Sequence, residues 1–358
     1  MSKLTVAILF GGVSSEYEVS LLSAASVIRN TPPEKYEIIM LGITRDGRWL
    51  RYCGPTELIE NGKWTDDTKY ITPAHISPDR SCHGLVVENG DSCEKIRLDA
   101  VFPVLHGKNG EDGTIQGLFE IAGIPYVGCS PLSSAMCMDK GVTHTILSDA
   151  CIPQAKWHTL LRSSYHFADA EPVLSKKLGY PMFVKPANAG SSVGISKAHN
   201  AAELEGAISL AFGHDEKVIV EEFIDGIEVE SAVFGNNEPF VSVLGEIAPC
   251  NEFYDYEAKY NAPATMLYIP ARISDDATDE VKACAAKAYK ALGCAGLTRI
   301  DFFVKRDGSG IILNEPNTIP GFTSISMYPK LMEASGVPYS QLIDKLFTLA
   351  ISRENEHR

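Results

Sequence analysis

Two apolar runs near the C-terminus, residues 298–304 and 310–315, each carry an acidic residue. The residues between the runs, centred on Gly308, are of turn-forming types, so the pattern predicts a β-hairpin. In this hairpin Asp301 lies directly opposite Glu315, with the two side chains about 5 Å apart on one face of the sheet. Because acids are rarely buried without a partner, the pair requires a proton or a cation between the strands.

The neighbouring polar residues suggest which cation this is. Arg299 precedes Asp301 by two residues and Asn317 follows Glu315 by two, so strand alternation places all four side chains on one face. Two carboxylates and an amide oxygen are a hard, all-oxygen ligand set, which suits Mg²⁺ that holds substrate phosphates. An exposed hairpin with polar tips is the alternative. We favour the metal site, because the acids belong to the apolar runs and not to the turn.

Composition limits the class of protein. The chain has 358 residues, enough for two or three domains, and its 45% apolar and 22% charged residues are ordinary for a soluble globular protein. A net charge of −14 argues against a nucleic-acid or anionic-membrane partner. The nine cysteines form no C-x-x-C pair, which indicates reduced thiols and a cytoplasmic location. We expect neither a signal peptide nor a membrane span.

The N-terminal part of the chain has the pattern of an α/β domain. Strands are predicted at 4–10, 36–43, 100–105 and 125–128, and helices at 19–28 and 113–122. Strands that alternate with helices imply a largely parallel sheet, whose ligand crevice lies at the carboxyl ends of the strands. Glu16 and His106 both follow such ends. Residues 50–95 are polar, and irregular structure is predicted there.

The remainder of the chain divides into two further parts. A long helix is predicted at 133–150, and strands and helices then alternate as far as residue 225. Strands dominate from 226 onward, apart from helices at 276–292 and 341–351. We therefore predict three domains, which are 1–128, 129–225 and 226–358.

A lysine and a glycine-rich loop in the middle part indicate phosphate binding. Lys185 lies inside an apolar strand, and a buried ammonium needs an anionic partner. The following loop, 187–194, can present backbone N–H groups to phosphate oxygens, although it is not a G-x-x-x-x-G-K-[ST] loop. A flexible hairpin tip is the alternative. Lys140, on the predicted long helix, has by itself the pattern of a solvated lysine.

Three other segments are candidates for ligand binding. Strand 218–224 ends in acids and an aromatic residue, as a nucleoside pocket or an ordinary strand end does. Residues 250–264 form a polar, aromatic-rich loop, and such loops in compact domains are often lids. The Gly321 N–H, in a turn after the hairpin, is a candidate oxyanion donor beside Arg299, and a simple β-to-α turn is the alternative.

The order of these motifs resembles that of one known family. The motifs are Glu16 within 15–21, His106-Gly107 with 110–114, Lys185-Pro186, and the segments 190–194, 253–260, 299–301, 314–318 and 320–323. In this order they resemble the D-alanine–D-alanine ligases of the ATP-grasp superfamily, over about residues 4–350. The resemblance implies an N-terminal parallel α/β domain followed by a two-subdomain ATP-grasp fold. It also implies cytoplasmic synthesis of a peptidoglycan precursor by a homodimer, and hence a part in cell wall biogenesis and cell shape.

The resemblance assigns substrate roles to individual residues. Glu16 is expected to receive the ammonium of the first D-alanine, and His106 to lie near the reacting carboxylate. Ser191 and Tyr260 are expected to tie Glu16 to the glycine loop and the lid. The remaining implied contacts are an oxyanion clamp from Arg299 and the Gly321 N–H, and a site for the second substrate's carboxylate at Ser326 and Met327.

The resemblance also implies ATP as a substrate and two Mg²⁺ or Mn²⁺ ions, with K⁺ as a candidate monovalent ion. The expected phosphate-binding residues are Lys140, Lys185, Lys259 and Ser192. The expected adenosine pocket comprises Glu221, Phe223, Ile224 and Glu228. The expected metal ligands are Asp301, Glu315 and Asn317. In the implied reaction, the first D-alanine becomes an acyl phosphate that the amine of the second attacks, so catalysis is mainly positioning and electrostatics.

Several alternatives stay open at this point. Met327 is apolar and favours D-alanine as second substrate, whereas relatives that use D-serine or D-lactate often carry arginine there. A non-catalytic nucleotide sensor on the same fold is less favoured, because a sensor has no need of an oxyanion arginine such as Arg299. An NAD-dependent oxidoreductase is excluded by spacing, because no G-x-G-x-x-G follows the first strand.

Overall fold

The protein is described by a computed structural model that covers residues 2–190, 193–248 and 266–356. Three β-sheets form its framework. The first sheet contains β1 (Leu4–Gly11), β2 (Tyr36–Ile43), β3 (Trp49–Tyr52), β4 (Ile71–Ile76), β5 (Gly84–Asn89), β6 (Ser92–Arg97) and β7 (Ala100–Pro103). The second contains β8 (Trp157–Leu161), β9 (Met182–Pro186), β10 (Ser196–Ala198) and β11 (Lys217–Glu222). The third contains β12 (Gly226–Gly235), β13 (Phe240–Ala248), β14 (Met266–Tyr268), β15 (Gly296–Lys305) and β16 (Ile311–Asn317).

The helices connect and cover these sheets. They are α1 (Tyr17–Asn30), α2 (Thr56–Glu60), α3 (Thr114–Ala122), α4 (Pro131–Met138), α5 (Lys140–Asp149), α6 (Phe167–Leu178), α7 (Ala201–Phe212), α8 (Asp275–Ala291), α9 (Met327–Ala334) and α10 (Tyr339–Glu356). Among the described residues, none of these helices combines the length and the apolar character that a membrane span requires.

The first sheet has the strand order β6-β5-β4-β3-β2-β1-β7, and only its β2-β1-β7 part is parallel. This part confirms the predicted α/β unit, with β1 leading through Gly11 into α1. The prediction of irregular structure at residues 50–95 is wrong, because β3 to β6 extend the sheet there with antiparallel pairing. β6 is an exposed edge strand with polar side chains. Backbone pairing holds such a strand, so its sequence shows little apolar alternation.

The single helix predicted at 133–150 is also a correction, because the structure divides it at Asp139 into α4 and α5. The backbone of Asp139 is extended, and its carboxylate accepts hydrogen bonds from the N–H groups of Gly141 and Val142, both at 3.1 Å. This is an N-cap, which stabilises a new helix start and turns Lys140 toward the neighbouring loop.

A single hydrophobic cluster joins the first sheet to the C-terminal part of the chain. It includes Phe10 and Phe102 of the first sheet, Phe322 of the loop before α9, and Phe347 of α10. The guanidinium of Arg353 on α10 adds two hydrogen bonds, to the carbonyl oxygens of residues 128 and 126, at 2.7 and 3.1 Å. The second sheet has a separate cluster with α6 and α7. The boundaries at residues 128 and 225 stay a prediction.

The contact between the first and third sheets includes a close approach of two glycines, which predicts a measurable stability effect. A Cβ at Gly296 lies 2.8 Å from the backbone nitrogen of Gly128, and the φ of Gly296 is +72°. We expect Gly296→Ala to lower the free energy of unfolding by about 2–5 kcal/mol, because a left-handed backbone and a steric clash add. Urea and thermal unfolding midpoints measure this effect.

Gly293→Ala is the matched control. Gly293 has a φ of +62° and no atom within 4 Å of an added Cβ. We therefore expect only the backbone term of about 1–2 kcal/mol. Equal losses in the two variants would show that the approach of Gly128 and Gly296 contributes nothing.

Candidate active site

The C-terminal hairpin has the register that the sequence predicts. β15 and β16 are antiparallel, and Asp301 pairs with Glu315 while Arg299 pairs with Asn317. The register shifts immediately after Asp301, at an irregularity between Asp301 and Phe302. The prediction that Asp301 and Glu315 are cross-strand neighbours is therefore confirmed.

Side-chain contacts bring three of these residues together on one face. The Arg299 guanidinium donates from Nε and Nη2 to the two Asp301 carboxylate oxygens, at 2.8 and 2.7 Å. Asn317 Nδ2 donates to Asp301 Oδ2 at 3.0 Å. Asp301 is only 2% exposed, so its hydrogen bonds with Arg299 and Asn317 are shielded from water. Burial alone would lower the pKa of Arg299, but the carboxylates of Asp301 and Glu230 raise it, and Arg299 is a permanent cation.

Glu230 is a third carboxylate in this row that the sequence analysis did not select. It lies on β12 directly opposite Asp301, and its Oε2 is 3.2 Å from Nε of Arg299. It is 3% exposed, so its charge is as well shielded as that of Asp301. The signal was available, because Glu230 is an acid inside an apolar strand, as Asp301 is. Arg299 thus lies between two buried carboxylates on adjacent strands.

The residues predicted to hold a metal fit a hard divalent cation. Asp301, Glu315 and Asn317 offer two carboxylates and an amide oxygen, the donor types that Mg²⁺ and Mn²⁺ prefer. Over the described ranges, no group of three or more His, Cys, Asp or Glu side chains is arranged to hold a metal ion. The ligands of a cation at this hairpin would therefore be the two carboxylates, the amide oxygen and oxygen atoms of a bound substrate.

Glu16 lies between two glycine-containing segments. A Cβ at Gly107 would be 2.4 Å from Glu16 Oε2, and a Cβ at Gly190 would be 3.1 Å from the same oxygen. Glu16 itself is 8% exposed. The glycines permit the backbone to approach the carboxylate, so the loop after β7 and the loop after β9 meet at Glu16.

His106 is buried beside Glu16 and is held at both ring nitrogens. Nδ1 is 3.0 Å from the carbonyl oxygen of Ile319, and Nε2 is 3.0 Å from Oγ of Ser23. The same Ser23 hydroxyl accepts a hydrogen bond from the Phe322 N–H at 3.2 Å. Ser23 was missed by the sequence analysis, because its position on α1 resembles that of any small core residue. It links the first domain to the turn that contains Gly321.

Lys185 and Lys140, the two lysines predicted to bind phosphate in the described part of the chain, each donate a hydrogen bond to a nearby oxygen. Lys185 Nζ donates to Glu221 Oε2 at 2.7 Å, and Lys140 Nζ donates to the carbonyl of Ala189 in the glycine loop at 2.8 Å. Burial would raise the pKa of Glu221, but the Lys185 ammonium, followed by the His144 ring, lowers it to about 2. Glu221 is therefore ionised at neutral pH.

Several of these groups line one cavity of about 880 Å³. Its lining includes Glu16, His106, Lys140, Arg299, Glu315 and Met327. Residues from all three sheets or the loops that follow them thus face a space large enough for a nucleotide and small substrates.

Comparison with known proteins identifies the family. Residues 5–129 match the family model for the D-ala D-ala ligase N-terminus, and residues 146–348 match that for the D-ala D-ala ligase C-terminus. The chain belongs to the D-alanine–D-alanine ligase family.

Individual relatives agree with the family assignment along the whole chain. A D-alanine–D-alanine ligase of Caldicellulosiruptor bescii is 50% identical over 360 residues, which cover 100% of this chain and 98% of that protein. One of Clostridium acetobutylicum is 48% identical, with 99% of each chain covered.

Two solved structures share the ATP-grasp architecture that the sequence predicts. The VanG D-Ala:D-Ser ligase of Enterococcus faecalis has a TM-score of 0.90 at 47% identity, and 98% of this chain and 100% of that chain are covered. The D-alanine–D-alanine ligase of Coxiella burnetii has a TM-score of 0.87 at 34% identity, with coverage of 100% and 96%.

Some of the other residues that the family resemblance selected are absent from the lining of the cavity, and others are outside the described ranges. Phe223 is 38% exposed, and its ring stacks with that of Phe183 at 6.2 Å. Ile224, directly after β11, and Glu228, in β12, are both half-buried. The predicted residues outside the described ranges are Ser191, Ser192, Lys259 and Tyr260.

The residues predicted to bind the second substrate, Ser326 and Met327, lie at the start of α9. Oγ of Ser326 accepts a hydrogen bond from the Thr323 N–H at 3.0 Å and lies near the Gly321 backbone, where an added Cβ would be 2.9 Å away. Met327 is buried, and its sulfur lies against Gly245 of β13, where an added Cβ would be 2.7 Å away. The site of Met327 is thus an apolar wall that depends on a glycine behind it.

Proposed function

We propose that this chain joins two D-alanines to D-alanyl-D-alanine at the expense of ATP, for a peptidoglycan precursor. The observation that carries the proposal is the position of Arg299. It lies between Asp301 and Glu230 in a cavity that also contains Glu16 and Lys140. A binding module has no need of a permanent cation held by two buried carboxylates, whereas acyl transfer needs one at the carbonyl oxygen.

The charges of the site residues match those of the groups they are proposed to bind. The buried Glu16 carboxylate suits the ammonium of the first D-alanine, and this contact orients its carboxylate toward the phosphates of ATP. Lys140 and Lys185, with Lys259 and Ser192 of the undescribed segments, would bind those phosphates. Divalent ions at the hairpin would supply further positive charge to the transferring phosphoryl group.

The second half of the reaction forms the peptide bond. The second D-alanine attacks the acyl-phosphate carbonyl as a neutral amine, and Arg299 with the Gly321 N–H stabilises the negative charge that develops on the carbonyl oxygen. The acyl C–O bond then breaks and inorganic phosphate leaves, while the new amide nitrogen loses a proton. Enclosure of the cavity protects the acyl phosphate from hydrolysis. We assign Ser191 and Tyr260 to tying Glu16 to the glycine loop and the lid. The pocket at Glu221, Phe223, Ile224 and Glu228 is assigned to adenosine.

The finer assignments extend this proposal. We propose two Mg²⁺ or Mn²⁺ ions at Asp301, Glu315 and Asn317, with K⁺ as an activating monovalent ion. We also propose that the protein is a cytoplasmic homodimer. It is proposed to have no nucleic-acid or membrane partner, because a net charge of −14 repels such anionic partners.

A D-alanine–D-serine ligase is the second candidate, because the VanG enzyme is 47% identical and shares the fold. The apolar Met327 side chain favours D-alanine over the more polar D-serine at the second site. One hydroxyl in an apolar pocket changes specificity by only about 10²-fold, so the preference requires measurement.

Phosphate release from ATP tests the proposed function. We expect release that depends on D-alanine and Mg²⁺, and a higher kcat/KM with D-alanine than with D-serine or D-lactate as second substrate. No D-alanine-dependent release in the presence of Mg²⁺ and K⁺ would favour a nucleotide sensor. A higher kcat/KM with D-serine would favour the second candidate.

A methyl group at Gly107 should weaken binding of the first D-alanine. A Cβ there would lie 2.4 Å from Glu16 Oε2, at a φ of +73°. We expect Gly107→Ala to raise the KM for the first D-alanine by at least about tenfold, because displacement of Glu16 weakens a charge-assisted hydrogen bond. Steady-state kinetics with D-alanine as the varied substrate measure it.

Gly179→Ala is the matched control, because Gly179 also has a φ of +73° and nothing lies within 4 Å of an added Cβ. We expect this variant to keep its KM for D-alanine. An unchanged KM in Gly107→Ala would mean that the contact of Glu16 with Gly107 does not position substrate.

A further inference from the structure

A buried histidine outside the roles assigned above forms a closed hydrogen-bond network behind the central lysine. His144 on α5 is 4% exposed, and its ring stacks on Trp157 at 5.0 Å with an interplanar angle of 10°. Its Nε2 lies 3.1 Å from Oε1 of Glu221, and its Nδ1 lies 2.6 Å from Oε1 of Gln154. Both ring nitrogens are thus engaged by oxygen atoms.

The donors and acceptors in this network determine where the protons are. Gln154 Nε2 donates to the carbonyl oxygen of His144 at 2.9 Å and to Oγ of Ser148 at 2.6 Å. The Gln154 amide therefore presents its oxygen to His144, and the opposite orientation would bring two carbonyl oxygens together. Since the Glu221 carboxylate also accepts only, the His144 ring satisfies both neighbours as an imidazolium, with a proton on each nitrogen.

Glu221 therefore has two cationic partners on its two oxygens. Lys185 contacts Oε2 at 2.7 Å, while His144 contacts Oε1. The two partners differ in their surroundings. Lys185 also lies 3.5 Å from Oδ1 of Asn314, next to the proposed metal ligands, whereas His144 is enclosed by Trp157 and Gln154. A triphosphate at the hairpin attracts the lysine strongly but leaves the histidine in place.

We propose that His144 is a positioning residue for the nucleotide. Its ring keeps a hydrogen bond and a positive charge next to the Glu221 carboxylate while Lys185 binds the phosphates. Without His144, the Glu221 carboxylate, which is 6% exposed, would have no positive charge beside it once Lys185 turns to ATP. Lys185 would then remain on Glu221, and the carboxylate would be poorly placed for adenosine. The inference rests on the proposed function, because it takes the phosphates of ATP as the anion that binds Lys185.

Substitution of His144 by phenylalanine tests this role, because a phenyl ring keeps the stack on Trp157 and removes both donors. We expect His144→Phe to raise the Kd of MgATP, measured by titration calorimetry, by about tenfold to hundredfold, the effect of one hydrogen bond to a charged group. The KM for ATP should rise in parallel, while kcat at saturating ATP stays within about threefold. His144→Lys, which keeps a donor and a positive charge, should restore most of the affinity.

A double variant separates a positioning role from a merely structural one. If His144 acts through Glu221, His144→Phe should cost less than about threefold in Kd when Glu221 is already glutamine. His158→Phe is the matched control, since His158 lies on β8 next to Trp157 and forms none of these contacts; we expect an unchanged Kd.

Three outcomes would overturn the inference. They are an unchanged Kd in His144→Phe, full additivity with Glu221→Gln, and a His144→Lys variant that binds ATP as weakly as His144→Phe. If His144→Phe does not fold, the lysine variant decides, because we expect its Kd to remain within about tenfold of the parent value. Failure of the proposed function is distinguishable, since it would appear as absent D-alanine-dependent phosphate release in the parent chain, whatever the variants do to ATP affinity.

Discussion

Replacement of Arg299 by alanine should lower kcat by at least about 10²–10³-fold, the effect of removing one oxyanion donor from an enclosed site. ATP should still bind, because the lysines that face its phosphates are unchanged. The guanidinium is held by Asp301 at 2.7 and 2.8 Å and by Glu230 at 3.2 Å, so its position is set before substrate arrives. Single-turnover rates and the Kd of ATP measure the two expectations separately.

Two further variants make this result specific. Arg299→Lys keeps the positive charge but loses the planar guanidinium with its paired N–H donors. We therefore expect most of the rate to be lost, even though the carboxylates of Asp301 and Glu230 still have a cation beside them. Arg306→Ala is the control, because Arg306 lies in the turn of the same hairpin, is exposed, and forms its ion pair with an exposed Asp225 at 3.2 Å. Near-normal turnover in Arg299→Ala would exclude the oxyanion role.

Asp301→Asn should also remove most of the activity, by weakening the divalent-cation site. The substitution preserves size and removes one of the two charges that face each other across β15 and β16. We expect the Mg²⁺ concentration for half-maximal activity to rise by at least about tenfold, with a fall of kcat by about 10²-fold or more. Activity as a function of Mg²⁺, together with Mn²⁺ binding in the presence of ATP, measures the effect.

The Asp301→Asn substitution also disturbs the hydrogen bonds that the Asp301 carboxylate accepts. Asp301 accepts two hydrogen bonds from Arg299 and one from Asn317, and an amide cannot accept all three as well. Asp307→Asn is the control, because Asp307 lies in the exposed turn of the same hairpin, where it accepts a hydrogen bond from the Ser309 N–H at 2.9 Å. If Asp301→Asn and Asp307→Asn had the same Mg²⁺ dependence, the hairpin would not be the cation site.

The hairpin could be predicted from sequence because its determinants are local. A turn centred on Gly308 and strand alternation set the register, and the register sets which side chains face each other. The same holds for β1 and α1, where an apolar run, two glycines and a helical pattern follow one another. Each of these features depends on residues only a few positions apart.

Other parts of the structure were not accessible from local pattern. β6, within residues 50–95, pairs at the exposed edge of the first sheet and has no buried side chain to give its sequence an apolar periodicity. The break at Asp139 depends on a cap whose geometry appears only when the helix forms. The contact of Glu230 with Arg299 joins residues almost 70 positions apart, so the partner of this acid could not be predicted from local pattern even though its place inside an apolar strand was visible.

Short-range patterns were enough to define the chemistry of this protein: the paired acids Asp301 and Glu315, the arginine beside them, and the lysine inside a strand. Their order along the chain was enough to indicate the family. Packing between distant segments decided the environment of each group. It set Arg299 between two carboxylates, Glu16 against Gly107 and Gly190, and His144 against Glu221. The reason is physical, because the charge and reach of a side chain are properties of the residue, whereas its partners and dielectric surroundings depend on which strands and helices meet.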